Sequence, residues 1–322
     1  MQKYSLEAIK DMKYLCISTT SYNFLLFCLL RDFLENTIFW VSSNLYLPER
    51  KDFFLLSEAD DFEQEKLENK LQFQKIKKEY FTKETFEIYA QDHVLKSYSF
   101  IKGKFFVIED GTMTYLEAKN EYEKEKNRSF FAKWQRKRKG KIAMCGVSSK
   151  VEKLYLRGIL PTPSCIQYKV EYIDIYTLWK QKSIEEKKWI LHFFDFQQKH
   201  LELLRTKKVI LFTQPLSEDG IMSEEEKIEI YRKILEKEEI KELVIKTHPR
   251  ERTEYRKYFV DVSVLQEKTP FELYLLHGLR GKRVITLFST AVYGLSDFEV
   301  IFYGTNGNRN LIGRFGEIPC KI

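Results

Sequence analysis

Leu243-Val244-Ile245-Lys246-Thr247-His248-Pro249-Arg250 decides the reading of the fold. Val244 to Thr247 reads as the end of a buried strand, because the run is largely apolar and β-branched and suits a parallel sheet covered on both faces. Pro249 has no N–H to give to a ladder, so pairing stops there. His248 is thereby set at the carboxyl end of a strand, the edge of an open α/β sheet where ligands bind. A histidine beside an ordinary turn is the plain alternative.

Strand–helix alternation extends outward from this stretch. Residues 208–213 read as a strand, with Gln214-Pro215-Leu216-Ser217-Glu218-Asp219-Gly220 as its loop. Ser223 and Glu226 form a capping box that opens a helix. Residues 262–265, 283–288 and 300–303 read as further strands. Thr269-Pro270-Phe271-Glu272 opens a helix and fits a capping box with Pro at the first helical position. Such alternation implies a parallel sheet. In the other half, residues 13–19 read as a strand, Thr19-Thr20-Ser21 as a polar loop, and a helix and a strand over 37–41 follow. That is the start of a doubly wound sheet. The GxGxxG fingerprint is missing, which argues against a nicotinamide or flavin dinucleotide. Residues 60–80 read as helix. A strand over 86–89 leads into Ala90-Gln91-Asp92-His93, and a strand from Lys104 ends in Glu109-Asp110-Gly111-Thr112. Residues 156–163, with Pro161 and Pro163, read as a domain crossover, and 179–204 as helix.

The 322 residues allow one large or two medium domains. Apolar residues at 43% and aromatic residues at 15% exclude a disordered chain. The net charge of +7 permits an anionic ligand or surface without demanding nucleic acid. Cys16, Cys28, Cys145, Cys165 and Cys320 are scattered and form no CxxC pair, so they read as reduced thiols rather than disulfides or a zinc site. No secretory leader pattern is visible at the N-terminus. The apolar run from Phe24 to Leu30 falls short of the roughly 20 residues that span a bilayer. A soluble, cytoplasmic protein is expected. Lys133-Trp134-Gln135-Arg136-Lys137-Arg138-Lys139-Gly140-Lys141 is basic without an acidic residue. A solvated helix face is the default reading. Peripheral contact with the anionic inner face of the cell membrane is the sharper one. One Trp is too little aromatic interleaving for a nucleic-acid module.

Several strand ends carry chemistry. The adjacent carboxylates Glu109 and Asp110 repel, and partial burial raises a carboxyl pKa, so one of them suits a general base. Gly111 allows a sharp turn, and an ordinary Asp-Gly turn is the alternative. Ser289 and Thr290, where a strand gives way to a helix, suit a phosphate or a plain cap. Glu272 suits ribose hydroxyls or its capping box. Gly111, Thr213, Gln214, Pro249 and Phe271 complete the donor-side candidates. Thr19 and Thr20 face the ligand edge or cap a helix, and His93, Glu218 and Asp219 stand in a second tier.

In order along the chain, Glu109-Asp110-Gly111, His248-Pro249, Pro270-Phe271-Glu272 and Ser289-Thr290 resemble the motifs of bacterial sialyltransferases of the two-domain GT-B type. Glycosyltransferase family 52, the lipooligosaccharide and capsule sialyltransferases, matches best, over about residues 13–303. The resemblance implies two Rossmann-like domains, 1–158 on the acceptor side and 159–322 on the nucleotide side, facing a central cleft. It implies cytidine monophosphate (CMP)-sialic acid as donor, a terminal galactose as acceptor and inversion at the anomeric carbon. The family's first acidic position is usually Asp and acts as base. Here it is Glu109 with Asp110 next, so either carboxylate is a candidate, and Glu218-Asp219-Gly220 repeats the pattern. His248 would act on the departing phosphate. A single phosphate carries less charge than a diphosphate and the chain has no Asp-X-Asp, so no metal or other cofactor is expected. A homodimer is compatible with this reading. The competing readings are a GT-B transferase using Kdo or a nucleotide-diphosphate sugar, and a basic protein that binds polyanions or membrane.

Overall fold

Short apolar runs become strands wherever both of their faces are covered. The computed structural model describes residues 12–320, apart from Asp60, 82–85, Lys96, Ser97, Ser99, 237–241 and Asn306. Within these residues two sheets form, and every strand pair in them is parallel. The chain divides into two compact units, Met1–Ile190 and Leu191–Ile322.

The first unit holds β1 (Tyr14–Ser18), β2 (Thr37–Val41), β3 (Phe53–Leu55), β4 (Glu87–Ala90), β5 (Phe105–Ile108), β6 (Val151–Leu156) and β7 (Val170–Tyr172). Their order is β3-β2-β1-β4-β5-β6-β7. The winding reverses between β1 and β4, which opens a crevice at their carboxyl ends. The helix Ser21–Leu30 is buried from Asn23 to Leu29 and is a core helix. Among the described residues no helix is long and apolar enough to cross a membrane.

The expected boundary at 158–159 falls between β6 and β7, which pair within this sheet. The chain then stays with the first unit through Ile175–Gln181 and most of Ile184–Phe193. Trp189 packs edge-on against Phe33, with centroids 4.9 Å apart. The stretch read as helix over 179–204 is helical in three pieces, ending with Gln198–Thr206. Ser183 and Glu186 exchange N–H bonds, at 3.0 and 3.1 Å, and restart the second helix as a reciprocal cap. Asp195, with φ 47°, separates it from the third.

The second unit holds β8 (Val209–Phe212), β9 (Leu243–Lys246), β10 (Ser263–Leu265), β11 (Arg283–Thr286) and β12 (Glu299–Phe302), in the order β10-β9-β8-β11-β12. The reversal lies between β8 and β11. β8 and β9 are buried at every position, as their apolar runs require. The capping box of Ser223 and Glu226 forms as expected. That of Thr269 and Glu272 does not. Pro270 is the cap, and the Thr269 hydroxyl donates to the Phe194 carbonyl at 2.9 Å.

Candidate active site

In the first unit the two adjacent carboxylates have opposite environments. A strand's side chains alternate in direction, so one of the pair turns inward when the other turns out. Glu109 is fully buried. Its carboxylate accepts from the Tyr22 and Tyr115 hydroxyls and, at 2.8 Å, from the Arg157 N–H. Burial pushes its pKa up, against the pull of these hydrogen bonds, those of Tyr115 and Tyr22 foremost. Asp110 keeps a quarter of its side chain exposed. It accepts from Thr20 Oγ1 at 2.8 Å and lies 3.9 Å from His93 Nδ1. Gly111 follows with φ 72°, the left-handed turn that favours glycine.

The end of β1 frames Asp110. Thr19 donates to Gln91 Oε1 from its N–H at 2.8 Å and from its hydroxyl at 2.9 Å. Thr20 caps the following helix by accepting from the Asn23 N–H at 3.3 Å while donating to Asp110. The cap and the ligand-edge readings of Thr20 thus describe one hydroxyl. Thr19, Thr20, His93 and Asp110 gather at the β1/β4 switch point, whereas Glu109 is turned away into its tyrosines.

In the second unit His248 follows β9 at the edge that its sequence predicts. Its Nδ1 accepts from the Arg250 N–H at 3.2 Å, so the neutral ring carries its proton on Nε2. Burial and the nearby Arg250 cation lower its pKa to about 4, and Asp219 opposes them in part. The turn beneath is held by Glu251, whose side chain is fully buried. Glu251 accepts from the His248 N–H and the Tyr255 hydroxyl, each at 2.6 Å, and from the Thr213 hydroxyl. The buried Lys227 ammonium lies 3.6 Å from Glu251 and 2.9 Å from Glu218. Glu218 also accepts from the Arg252 N–H at 2.7 Å. Burial raises the pKa of Glu218, but the Lys227 and Arg252 hydrogen bonds prevail and pull it down to about 2. Asp219 pairs with Arg250 through both guanidinium nitrogens.

The remaining donor-side candidates divide by exposure. Thr213 is buried and engaged with Glu251, and the Gln214 N–H donates to Tyr231 at 2.7 Å. Phe271 packs edge-on against Phe212 of β8, with centroids 4.8 Å apart. Glu272 is buried, and its charge reaches Lys246. Pro249 is exposed. Ser289 and Thr290 follow β11, where a short 3-10 turn, Thr290–Gly294, replaces the expected helix. The Ser289 hydroxyl makes no capping bond there. No hydrogen bond joins Ser289 or Thr290 to His248 among the described residues.

Sequence reasoning missed Tyr22, Gln91, Tyr115, Lys227, Lys246 and Glu251. Two of them carried a signal. Glu251 stands three residues after His248, the spacing by which a carboxylate reaches back to an N–H. Lys246 interrupts an apolar strand. It is buried and sits 3.6 Å from Glu267, which also accepts from Tyr274 and meets His200 Nδ1, each at 2.6 Å. Burial lowers the pKa of Lys246, and Glu267 opposes that. Among the described residues no group of three or more His, Cys, Asp or Glu side chains is arranged to hold a metal ion.

The model of glycosyltransferase family 52 matches residues 38–306. A protein of Haemophilus influenzae described as uncharacterized is 40% identical over 235 residues, 73% of either chain. Among solved structures, the GT-B domain of a sialyltransferase from Photobacterium damselae superimposes with a TM-score of 0.57 at 11% identity, covering 89% of each chain. The 2,6-sialyltransferase of Photobacterium sp. JT-ISH-224, solved with CMP and lactose, gives a TM-score of 0.58 at 11% identity over 89% of this chain and 71% of its own. At such identity these likenesses show the fold, and it is GT-B.

Proposed function

The chain belongs to glycosyltransferase family 52, and from that premise we propose that it is an inverting sialyltransferase that moves sialic acid from CMP-sialic acid to a galactose-terminated surface glycan, of lipooligosaccharide or capsule. The CMP and lactose bound to the Photobacterium 2,6-sialyltransferase suggest the donor and acceptor classes. One observation carries the reading. The carboxyl edge of each sheet presents a partly exposed group able to handle a proton, Asp110 with His93 beside it in the first unit and His248 in the second.

The reaction has an acceptor half and a donor half. In the first, the acceptor hydroxyl loses its proton as it attacks the anomeric carbon, and Asp110 takes it. Asp110 fits better than Glu109, whose oxygens are already occupied by two phenols and an N–H. In the second, the bond from the anomeric carbon to the phosphate breaks and negative charge collects on CMP. His248 donates from Nε2 to that phosphate. With its pKa near 4 the ring is neutral in the free protein at pH 7, so it stabilises the departing phosphate as an Nε2–H hydrogen-bond donor, and the phosphate anion in turn raises the ring's pKa and favours its protonated form. Ser289 and Thr290 hold the phosphate and Glu272 the ribose. Glu218, clamped by Lys227, is a brace and not a second base.

A monophosphate leaving group needs less charge compensation than a diphosphate, and the reaction proceeds without a metal. Incubation with CMP-sialic acid and lactose should release CMP and form sialyllactose, with turnover unchanged by chelator. Cleavage of a uridine diphosphate sugar in place of CMP-sialic acid would overturn the donor assignment. Activity lost in chelator and restored by magnesium would overturn metal independence.

A further inference from the structure

The basic stretch near residue 135 has no part in this chemistry, and its structure is unusual. Ser129 caps a helix, Phe130–Arg138, in which no residue is buried. A nine-residue helix gains little stability in water unless it packs on something. Its large apolar side chains face solvent, with Phe130 87%, Phe131 63% and Trp134 45% exposed. At roughly 100° per residue, these three fall within one arc about 100° wide. Lys133, Lys137 and Arg138 lie within or beside that arc, and Lys139 and Lys141 follow the helix end. Arg136 points elsewhere. It meets Glu125 at 3.3 Å and the Ile142 carbonyl at 3.0 Å, which ties the helix to the body of the unit. Phe131 stacks on Trp134, and the Arg138 guanidinium lies 5.0 Å from the Trp134 ring. No carboxylate pairs with Lys133, Lys137, Arg138, Lys139 or Lys141 among the described residues.

We propose that Phe130–Arg138, with Lys139 and Lys141, docks the protein on an anionic lipid surface, the three aromatic side chains entering the headgroup boundary and the cations meeting lipid phosphates. Charge complementarity selects this occupant. Aromatic rings inside a one-signed cationic rim match the interfacial helix of a peripheral protein. A self-interface through the same face would set cations against cations. The preceding helix, Met113–Asn127, begins beside Asp110 and is roughly 22 Å long at 1.5 Å per residue. The docking helix therefore lies far from Asp110, and altering it should leave soluble turnover unchanged.

The test is flotation of the full chain with vesicles of phosphatidylcholine alone or mixed with phosphatidylglycerol. Binding should require phosphatidylglycerol. Replacing Lys137, Lys139 and Lys141 with Gln should weaken it roughly fivefold per lysine, about 1 kcal/mol each, and added salt should do the same to the unaltered chain. Replacing Phe130, Phe131 and Trp134 with Ser should abolish retention while the melting temperature stays unchanged, since none of the three is buried. In Trp134→Phe the blue shift of fluorescence on vesicle binding should disappear, although Trp40, Trp179 and Trp189 remain. Equal binding to both vesicle types, or full retention by the aromatic variant, would overturn the proposal. So would a lipid-free dimer in the unaltered chain that the aromatic variant loses, since the face would then be a self-interface. Binding to heparin with none to either vesicle would reassign the face to a soluble polyanion.

Discussion

The carboxyl edges of the two sheets solve one problem with different materials. Each places a partly exposed polar side chain, Asp110 or His248, next to a fully buried glutamate, Glu109 or Glu251. Each glutamate accepts from two hydroxyls and one backbone N–H. The edges part over charge. Glu251 has the buried Lys227 at 3.6 Å, and Lys227 also holds Glu218, whereas Glu109 relies mainly on the hydroxyls of Tyr115 and Tyr22. Two carboxylates under the His248 turn need a countercharge, because an unpaired buried charge is costly. The single carboxylate of the first edge is served chiefly by two phenols and an N–H, with the Arg157 charge adding a smaller part.

The largest expected effect separates the exposed member of the first edge from its buried neighbour. Asp110→Asn should slow sialyl transfer by roughly 10²- to 10⁴-fold, the usual weight of a general base. Donor hydrolysis should slow less, because water has other routes for its proton. Glu109→Gln should act mainly on stability, at about 1–3 kcal/mol for a disturbed buried hydrogen-bond set. Paired measurements of transfer rate and melting temperature decide the matter. If Glu109→Gln loses transfer while Asp110→Asn retains it, the roles are reversed and the comparison fails at its first term.

Next in size is the countercharge of the second edge. Lys227→Met leaves the buried Glu251 and the partly buried Glu218 without their cation. Removing one partner of a buried pair typically costs about 3–5 kcal/mol, and denaturant unfolding should show a loss of that order. A variant as stable as the parent would mean that the hydrogen bonds to Glu218 and Glu251 suffice without Lys227.

These two edges also mark how far the sequence could be read. The strands β1, β5, β9 and β11 are largely apolar runs, and their ends carried Thr20, Asp110, His248 and Ser289 into view. β6 has Glu152 and Lys153 exposed mid-strand, and the short edge strand β7 exposes Glu171 and Tyr172. Neither shows a run or a clean alternation, so a crossover was read where the first sheet continues. The braces were hidden for another reason. Tyr22 and Glu109 are 87 positions apart, and Glu218 and Arg252 are 34 apart. Sheet order brings such pairs together, and no local pattern announces them. The difference between Glu109 and Asp110 is likewise a matter of which way the strand faces.

A smaller effect should follow pH. The His248 ring has its folded pKa lowered from 6.5 to about 4. Between those values the unfolded chain takes up a proton that the folded one resists, so stability present above pH 6.5 is lost as pH falls toward 4. Glu218, lowered from 4.5 to about 2, is also a depressed group, and its contribution is lost only below pH 4.5. His248→Gln should therefore flatten the melting-temperature profile between pH 6.5 and 4 and leave the steeper fall below it. A profile unchanged by the substitution would mean that the ring titrates normally and that the turn does not shield it.

The smallest effect belongs to the phosphate side, where the comparison makes its finest distinction. If the second edge holds the nucleotide, CMP affinity should respond to Ser289 and Thr290 and not to Asp110. Both hydroxyls are neutral, and Thr290 is exposed, so water can replace much of what each contributes. Each bond to phosphate should be worth roughly 0.5–1.5 kcal/mol, about a two- to twelvefold change in the dissociation constant. Calorimetry with CMP on Ser289→Ala, Thr290→Ala and the double variant would read this directly. Asp110→Asn serves as the control that should bind CMP like the parent. Unchanged affinity in the double variant removes both hydroxyls from the donor site. Weakened affinity in Asp110→Asn would instead mean that the first edge also contacts the nucleotide, and that donor and acceptor are not divided between the two sheets as proposed.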